Sequence, residues 1–396
     1  MKKAPGQMKW MASVESWLWL SFPAANLLSI SAGEVIAALL FLFWLPRAGK
    51  NRQLPGAVLP VIAILAWTIV SGLAGDPAHW TSAIGKWPVI IMTLVAFDWA
   101  SSGNNIARPL TALFAMATLL IPYELWQFLY TSYGRARAFT GGAPNLGSNL
   151  MMAVIFGSAY LLVSKGRERN WMAVGALACL AGLILSMNRS ALLGAVAALA
   201  LLAVPRRPML VPLMLAALTL SMAVAPESNY SWRVRSVFNP QHLPSSRDRP
   251  RLWMSGLAMV RDRPLAGFAT RENFQGQYAA TYRSPLAEEK GTPGHVHNSY
   301  IHSAVLHGIP GLGLVLWLLA VLWANIRAAS AGDNDSPWKQ AAALALAPLF
   351  IAVLVNSFFD FVLADGQRAL MFYVLAGLLL GSISRSRGVS PARKRG

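Results

Sequence analysis

Charged residues are scarce in this chain, and acidic residues are the scarcest. Only 13% of its 396 residues are charged, with 34 Lys and Arg against 16 Asp and Glu, whereas 55% are hydrophobic and the mean hydropathy is +0.46. Because this number of charged residues is too small to cover the surface of a water-soluble protein of this length, most of the chain must lie in hydrocarbon. The composition therefore predicts an all-α polytopic membrane protein.

Several functional motifs are also missing. The single cysteine, Cys179, lies in an apolar run, which excludes an intrachain disulfide. No GxxxxGK[ST] phosphate loop occurs, which argues against ATP as the energy source. The absence of an HExxH-type helix, and of an Asp-x-Asp pair on the predicted outer side, argues against a metal centre. We therefore expect no cofactor, no metal and no ATP.

The long apolar runs predict the number of membrane spans. A bilayer core about 30 Å thick needs roughly 20 apolar residues per helix. On that rule the chain has twelve transmembrane helices, near residues 15–29, 31–46, 56–73, 86–101, 106–131, 146–164, 170–186, 190–204, 208–225, 307–328, 338–360 and 366–384. The predicted organisation is nine helices in 1–225, a large loop at 226–306, three helices in 307–384 and a basic tail at 385–396.

Lys and Arg are divided unevenly between alternate loops. The two ends of the chain and every second loop carry 19 of them against three acids, so the positive-inside rule predicts that both termini are cytoplasmic. A net charge of +18 would suggest a nucleic-acid partner in a soluble protein, but here the basic residues lie mainly in short loops that set orientation. We expect a multi-pass protein of a bacterial inner membrane, surrounded by membrane lipids, with no nucleic-acid partner and with the long loop in the periplasm.

The long loop at 226–306 departs from this charge bias, since it holds nine arginines and one lysine against six acids. Long loops are translocated whatever their charge, so the predicted orientation stands. The preference for arginine indicates an anion site, because a guanidinium presents a planar fork of donors that matches phosphate oxygens. For any single arginine, a solvated surface or one facing lipid phosphates is the alternative.

One segment of this loop has helical spacing of apolar residues. PRLWMSGLAMVRD, at Pro250–Asp262, places Leu252, Trp253, Leu257 and Val260 at that spacing. Pro250 suits the first turn of a helix, and Asp248 could cap it. We expect an amphipathic helix on the outer leaflet, acting as a lid over the bundle or contacting a substrate directly.

Polar residues elsewhere fall near the same predicted face. Arg189, in SMNRSALLG, lies in a turn so close to hydrocarbon that its charge is costly unless paired, which favours a functional role. Arg135 and Arg137 precede a Gly-rich turn that opens a helix, where free backbone N–H groups can receive an anion. Near the outer ends of their helices lie four polar residues that we expect to pair with arginines or to line a wet cavity, namely Glu124, Gln127, Asn356 and Asp360.

The segment GHVHNSYIHSAVLHG contains four histidines, His295, His297, His302 and His307. Histidine is the usual proton acceptor near neutral pH. His297 is the candidate general base, because it adjoins Asn298 at the mouth of a helix and can be held there by that neighbour. The other histidines are candidates for structural roles.

These segments resemble the O-antigen ligase and polymerase superfamily. SSRDRPRLWMSGLAMVRDRPLAGF followed by HVHNSYIHSAVLHGIPGLG is similar to its signature, which has an arginine four residues before a tryptophan, an acid-x-Pro-Leu-x-Gly run, a His-Asn pair and a Gly-rich helix start. SMNRSALLG resembles its Ser-x-x-Arg turn, and RARAFTGGAPNLGSN its earlier Arg/Gly/Asn element. The resemblance covers about residues 120–320, and it departs at Ala269, where the pattern has a second glycine.

The resemblance implies a GT-C-like fold with one large periplasmic loop. It also implies an inverting, metal-independent transfer of a glycan from an undecaprenyl diphosphate carrier to a hydroxyl of lipid A-core. His297 would be the general base, with Asn298, Tyr300 and Asp360 in support, and Arg189 and Arg249 would neutralise the leaving diphosphate. Further diphosphate ligands would be Arg135, Arg137, Arg251, Arg261 and Arg263. Which of Arg247, Arg249 and Arg251 points inward depends on where the helix begins.

Three activities of that superfamily compete. A lipopolysaccharide ligase is favoured because the chain has one large outer loop and only a short second one at 131–146. An O-antigen polymerase often carries two sizeable outer loops, and a protein O-oligosaccharyltransferase tends to carry an extra periplasmic domain. A transporter of lipid-linked glycans would also need an arginine-lined cavity, but it would need inverted repeats as well, and the sequence shows no clear repeat.

Overall fold

The computed structural model describes residues 5–48, 54–85, 87–131, 135–205, 244–286, 291–329 and 336–384. Within these ranges all regular structure is helical. The α-helices are α1 (Pro5–Leu28), α2 (Ile30–Trp44), α3 (Val58–Gly75), α4 (Trp80–Ile84), α5 (Met92–Ser101), α6 (Ala107–Tyr130), α7 (Ala143–Val163), α8 (Gly166–Leu185), α9 (Arg189–Ala203), α10 (Pro244–Asp262), α11 (Arg271–Gln277), α12 (Ser299–Ala329), α13 (Pro337–Phe359) and α14 (Gly366–Ile383).

Nine helical stretches in the described part of the chain are long and apolar enough to cross a membrane, so the protein is an all-α polytopic membrane protein. α9 is apolar but has only 15 residues. The predicted helix at 208–225 lies outside the described residues, as do the first part of the predicted loop, 226–243, and the basic tail at 385–396. The count of twelve therefore stays a prediction.

The predicted helix at 86–101 is not continuous. Trp87–Ile91 form a 3₁₀ turn around Pro88, and α5 follows with ten residues, all of them buried. α5 packs against α14, which is buried along its whole length. Gly377 of α14 makes this contact possible, because a Cβ there would overlap the carbonyl oxygen of Thr93. Burial between close-packed neighbours stabilises a helix too short to span the bilayer alone.

The amphipathic helix α10 begins six residues earlier than the sequence predicted, at Pro244. Pro250 therefore lies inside the helix, and Asp248 pairs with Arg251 (2.9 Å) instead of serving as the cap. The buried positions of α10 include Leu252, Ser255 and Met259, whereas Leu257, predicted to share the apolar face, is 55% exposed. The buried face therefore follows the helical spacing of Leu252, Ser255 and Met259, and Leu257 lies on a different face.

α10 forms a small apolar core with the start of α12. Leu252 and Met259 of α10 pack with Val296 and Val305, and the segment after α10 adds Phe268 to the same cluster. This cluster is separate from the large core of the transmembrane bundle. The segment that contains α10 therefore packs against the first turns of α12.

A kink in α12 provides backbone hydrogen bonds that hold the segment after α10 against this helix. His307 and Gly308 have non-helical backbone angles, so the carbonyl oxygens just before them lose their helical partners. The freed oxygens of Val305 and Leu306 accept hydrogen bonds from the backbone of Phe268 (2.8 Å) and Ala269 (2.6 Å). Buried backbone groups need such partners. Pro264, in the acid-x-Pro-Leu-x-Gly run, accepts the N–H of Ile309 (2.7 Å), so this run and the two residues after it pair with the backbone at the kink.

Two details of the kink explain sequence features. The carbonyl oxygen of His307 accepts a hydrogen bond from the Trp67 indole (2.8 Å). The His307 ring lies 2.7 Å from Ser71 Oγ through Nδ1 and accepts the Trp87 indole N–H at Nε2 (2.9 Å), so His307 is a structural residue. Ala269 has a φ of 63°, in the left-handed region that favours glycine. That conformation gives a physical reason for the glycine in the family pattern at this position.

Candidate active site

Asn298 places the candidate base at the junction of two helices. Its Oδ1 accepts the backbone N–H groups of Tyr300 and Ile301, both at 3.0 Å, which caps the start of α12. Its Nδ2 donates to the carbonyl oxygen of Phe358 (3.0 Å), near the end of α13. His297, immediately before this cap, is thereby held next to the last turn of α13.

The backbone of His297 is fixed on both sides. Its φ of 51° lies in the left-handed region, which a non-glycine residue adopts only when its surroundings enforce it. Its N–H donates to Nδ1 of His295 (3.2 Å), and its carbonyl oxygen accepts the Trp253 indole N–H (3.4 Å). Burial first, and the neighbouring His297 second, lowers the pKa of His295 to about 3, so that ring stays neutral and can accept.

Asp360 connects His297 to a buried arginine. Its Oδ1 lies 3.3 Å from Nδ1 of His297, and its Oδ2 lies 2.7 Å from Arg368 Nη1. Arg368 also pairs with Asp365 at 2.7 Å. Although burial alone would raise it, the pKa of Asp360 is held well below its ordinary value by the Arg368 guanidinium and the hydrogen bond from His297. Asp360 is therefore an ionised acceptor.

This arrangement selects the tautomer of His297. An ionised carboxylate has no proton to donate, so His297 Nδ1 must carry the hydrogen that lies between them. In a neutral imidazole the other nitrogen, Nε2, then has a free lone pair. His297 remains accessible, with 31% of its side chain exposed. The ring is thus oriented to accept a proton at Nε2.

Arg189 and Arg249 line one pocket. It has a volume of about 250 Å³, and its other lining residues are Ser190, Leu193, Pro250, Trp253 and Phe359. Arg189 is the first residue of α9, whose N-terminus adds partial positive charge. Among the described residues the lining holds two guanidinium groups and no acid, so the pocket is suited to an anion.

The pocket and the candidate base share a wall. Trp253 lines the pocket and donates its indole N–H to the carbonyl oxygen of His297. Phe359 lines it too, and the next residue is Asp360, the partner of His297. The two rings contact each other, with centroids 6.5 Å apart. Trp253 and Phe359 therefore connect the pocket lining to the backbone of His297 and Asp360.

The other predicted diphosphate ligands do not line this pocket. Arg251 pairs with Asp248 and donates to the carbonyl oxygen of Leu286. Arg261 is 83% exposed, and Arg263 lies over the ring of Phe268 at 4.9 Å. Because α10 rises about 1.5 Å per residue, Arg261 lies about 18 Å along the helix from Arg249, and Arg263 follows the end of the helix.

Arg135, Arg137 and Tyr300 also have positions outside the pocket lining. Arg135 and Arg137 lie in the segment between α6 and α7, where the backbone N–H of Arg137 donates to the side chain of Gln127 (2.7 Å). The Tyr300 hydroxyl donates to the carbonyl oxygen of Leu354 (3.2 Å) and joins α12 to α13. Tyr300 supports the site through helix packing.

His295, His297 and Asp360 could also be considered as metal ligands, since they offer one ligand atom each within 4.8 Å of one another. Each group already has a hydrogen-bonding role. His297 Nδ1 faces Asp360, His295 Nδ1 accepts the His297 N–H, and Arg368 occupies the second oxygen of Asp360. A cation would have to displace these bonds beside a buried guanidinium, so the geometry favours a proton acceptor.

Sequence reasoning did not assign Arg368, His295 or Trp253 to the site. Arg368 was visible as a basic residue in a predicted outer turn, and its spacing from Asp365 is that of a helical ion pair. Nothing local to the sequence pairs it with Asp360 or links the Trp253 indole to His297. Those contacts join separate helices.

Comparison with known proteins agrees with the sequence resemblance. Residues 174–318 match the family model described as O-antigen ligase, a range that contains Arg189, Arg249 and His297, whereas Asp360 and Arg368 follow it. No curated protein matches the chain. Residues 174–318 of the chain are therefore similar to the O-antigen ligase family, in agreement with the resemblance seen in the sequence.

Proposed function

We propose that the protein transfers an O-antigen glycan from undecaprenyl diphosphate to a hydroxyl of lipid A-core, at the periplasmic face of the inner membrane and without a metal ion. The observation that carries the proposal is the arginine-lined pocket that shares the wall of Trp253 and Phe359 with the His297–Asp360 pair. It supplies the two functions that such a transfer needs, namely a proton acceptor and a site for the leaving diphosphate.

His297 is the general base in this proposal. Nε2 accepts the proton of the acceptor hydroxyl while that oxygen attacks the anomeric carbon from the side opposite the diphosphate, which inverts the configuration. Asp360 stabilises the imidazolium that forms, because it faces Nδ1 and remains ionised. A positioned general base contributes about 10²- to 10⁴-fold in rate.

Arg189 and Arg249 act on the leaving group. As the bond between the anomeric carbon and the phosphate oxygen breaks, the electron pair goes to the diphosphate, which gains negative charge. Two guanidinium groups and the N-terminus of α9 stabilise that charge, and fixed donors at a developing charge provide electrostatic catalysis. Leu193, 46% exposed, extends the pocket towards an apolar surface suited to the lipid chain of the donor.

The acceptor distinguishes a ligase from its relatives. One large outer loop in the sequence favours lipid A-core over a growing glycan chain as the acceptor. The proposed orientation, with both termini in the cytoplasm, rests on the distribution of basic residues.

Purified protein in detergent tests the proposal. It is incubated with undecaprenyl diphosphate-linked glycan and lipid A-core, with EDTA present and ATP absent. We expect glycosylated lipid A-core with inverted anomeric configuration, and undecaprenyl diphosphate as the second product. Elongated lipid-linked glycan instead would identify a polymerase. If neither acceptor is glycosylated and the protein moves the donor across proteoliposome membranes, the protein is a transporter and not a glycosyltransferase.

A further inference from the structure

Ser148 joins two parts of the site through the interior of the bundle. It lies on α7 and is fully buried. Its hydroxyl oxygen accepts hydrogen bonds from Asn356 Nδ2 at 2.9 Å and from Asn188 Nδ2 at 3.4 Å. Because a hydroxyl oxygen has two lone pairs, these amides use both of them. Ser148 therefore links α9 to α13 without taking part in either helix.

The Asn188 side of this link sets the start of α9. Oδ1 of Asn188 accepts the N–H of Ala191 (3.3 Å) and the hydroxyl of Ser190 (2.8 Å), so Asn188 is the N-cap. Its Nδ2 also donates to the carbonyl oxygen of Pro144 on α7 (2.9 Å). Arg189 is the next residue, so the place where Asn188 is anchored decides where the Arg189 backbone lies.

The Asn356 side of the link sets the end of α13. Asn356 lies one turn before that end, and its carbonyl oxygen accepts the N–H of Asp360 (3.0 Å). Phe359 lines the arginine pocket, and Asp360 holds His297. Ser148 is thus connected to Arg189 through one amide and to the His297–Asp360 pair through the other.

Gly147 provides the room for this connection. A Cβ at this position would lie 2.5 Å from Ser186 Oγ and 2.6 Å from Asn188 Cβ. The turn that carries Asn188 therefore packs directly against the backbone of α7. Because α7 and this turn are so close, the short side chain of Ser148 reaches the amides of both Asn188 and Asn356.

We propose that Ser148 is a positioning residue that sets the spacing between Arg189 and the His297–Asp360 pair. The inference rests on the proposed function, in which the arginine holds the diphosphate on one side of the anomeric carbon and the base acts on the other. Rates in such a site depend strongly on the placement of the reacting groups. Ser148 acts only through Asn188 and Asn356 and does not touch the substrate.

Ser148→Ala tests the role against a matched control. Without the hydroxyl, Asn356 Nδ2 loses its acceptor and Asn188 Nδ2 keeps only the carbonyl oxygen of Pro144, so the turn before Arg189 is no longer linked to α13 through Ser148. We expect the inhibition constant of inorganic pyrophosphate, a probe of the arginine pocket, to rise between about 2-fold and 100-fold. Ser357→Ala removes a buried hydroxyl that has no hydrogen-bond partner among the described residues, and the constant should not change.

A double-mutant cycle separates positioning from simple loss of structure. Asn356→Ala should raise the pyrophosphate constant as Ser148→Ala does, and the double variant should be no worse than the more affected single variant, because both break one link. The pH dependence of the rate should stay that of the wild type, since His297 and Asp360 remain. A purely structural role predicts less active protein with an unchanged inhibition constant, and that result overturns the proposal.

Gly147→Ala provides a second variant in case Ser148→Ala does not fold. It displaces the Asn188 turn and leaves the serine hydroxyl in place, so it should raise the pyrophosphate constant as well. The positioning role alone is refuted if the wild-type protein transfers glycan and the inhibition constant of pyrophosphate is unchanged in Ser148→Ala and Gly147→Ala. Wild-type protein that transfers no glycan refutes the proposed function instead.

Discussion

Asp360 Oδ1 lies 3.3 Å from His297 Nδ1, although 63 residues separate them in the sequence. The second oxygen of this carboxylate is held by Arg368 at 2.7 Å, so the acceptor is fixed in position and charge. That contact leaves Nε2 of His297 as the nitrogen that can take a proton. The chemistry proposed for this protein depends on that choice of nitrogen.

Asp360→Asn should lower the transfer rate by about 10²- to 10⁴-fold, because an amide can donate to Nδ1 and so favours the wrong tautomer. The rate is measured with saturating donor and acceptor. Asp365→Asn is the control, since Asp365 pairs with Arg368, whereas the carboxylate that pairs with His297 is that of Asp360. Equal losses in the two variants would show that Asp360 serves only to pair with Arg368.

Arg189→Lys and Arg249→Lys should each raise the KM for the lipid diphosphate donor by about 10- to 100-fold, because lysine keeps the charge but loses the bidentate fork. The KM for the acceptor should change little. Arg261→Lys serves as the control, because that side chain is 83% exposed and lies far from the pocket. Unchanged values of both kcat and donor KM in the two pocket variants would rule out the diphosphate role.

Gly308→Ala should destabilise the protein by more than about 1 kcal/mol and lower its activity, because the φ of 70° favours glycine and a Cβ would overlap the carbonyl oxygen of Leu265. Thermal unfolding in detergent measures the loss. Gly313→Ala, on the same helix, would place its Cβ within 4 Å of no other atom. Its melting temperature should match or exceed that of the wild type.

The stability of the protein should fall as the pH decreases from about 6.5 towards 3, through His295. Its folded pKa of about 3 lies below its unfolded value of about 6.5, so in this interval the unfolded chain binds a proton that the folded chain does not. At pH 5 this difference amounts to at most roughly 2 kcal/mol.

Thermal unfolding at pH 7.5 and pH 5 measures the effect of His295. His295→Asn keeps an acceptor for the His297 N–H and has no titrating group, so it should lose less stability between the two pH values than the wild type does. His297, Asp360, Arg368 and Asp365 remain in both proteins. Equal losses would assign the pH dependence to those groups.

Cysteine labelling tests the predicted orientation. Cys179 is buried and is the only cysteine, so Cys179→Ala provides a background without thiols. In intact cells whose outer membrane has been permeabilised, a membrane-impermeant maleimide should label His79→Cys, after α3, and should not label Arg167→Cys, at the start of α8. The opposite pattern would invert the topology.

Much of the bundle could be read from local sequence because apolar length is a local property. The predicted spans at 106–131, 146–164 and 170–186 correspond closely to α6, α7 and α8. The predicted span at 86–101 lies within one of the nine stretches, although it combines a 3₁₀ turn at Trp87–Ile91 with the ten-residue α5. The start of α10 was predicted wrongly, because Pro250 suits a first turn but does not require one.

The sequence by itself determined that the chain is helical and membrane-embedded, and that arginines and a His-Asn pair are the groups available for chemistry on one face, because composition and periodicity set these properties residue by residue. Only the tertiary structure decided that Arg189 and Arg249 line one pocket, that Asp360 orients His297, and that Arg261 and Arg263 lie elsewhere. Each of those outcomes depends on how separate helices pack and on which face each helix turns inward, and a shift of one or two residues at a helix start is enough to change it.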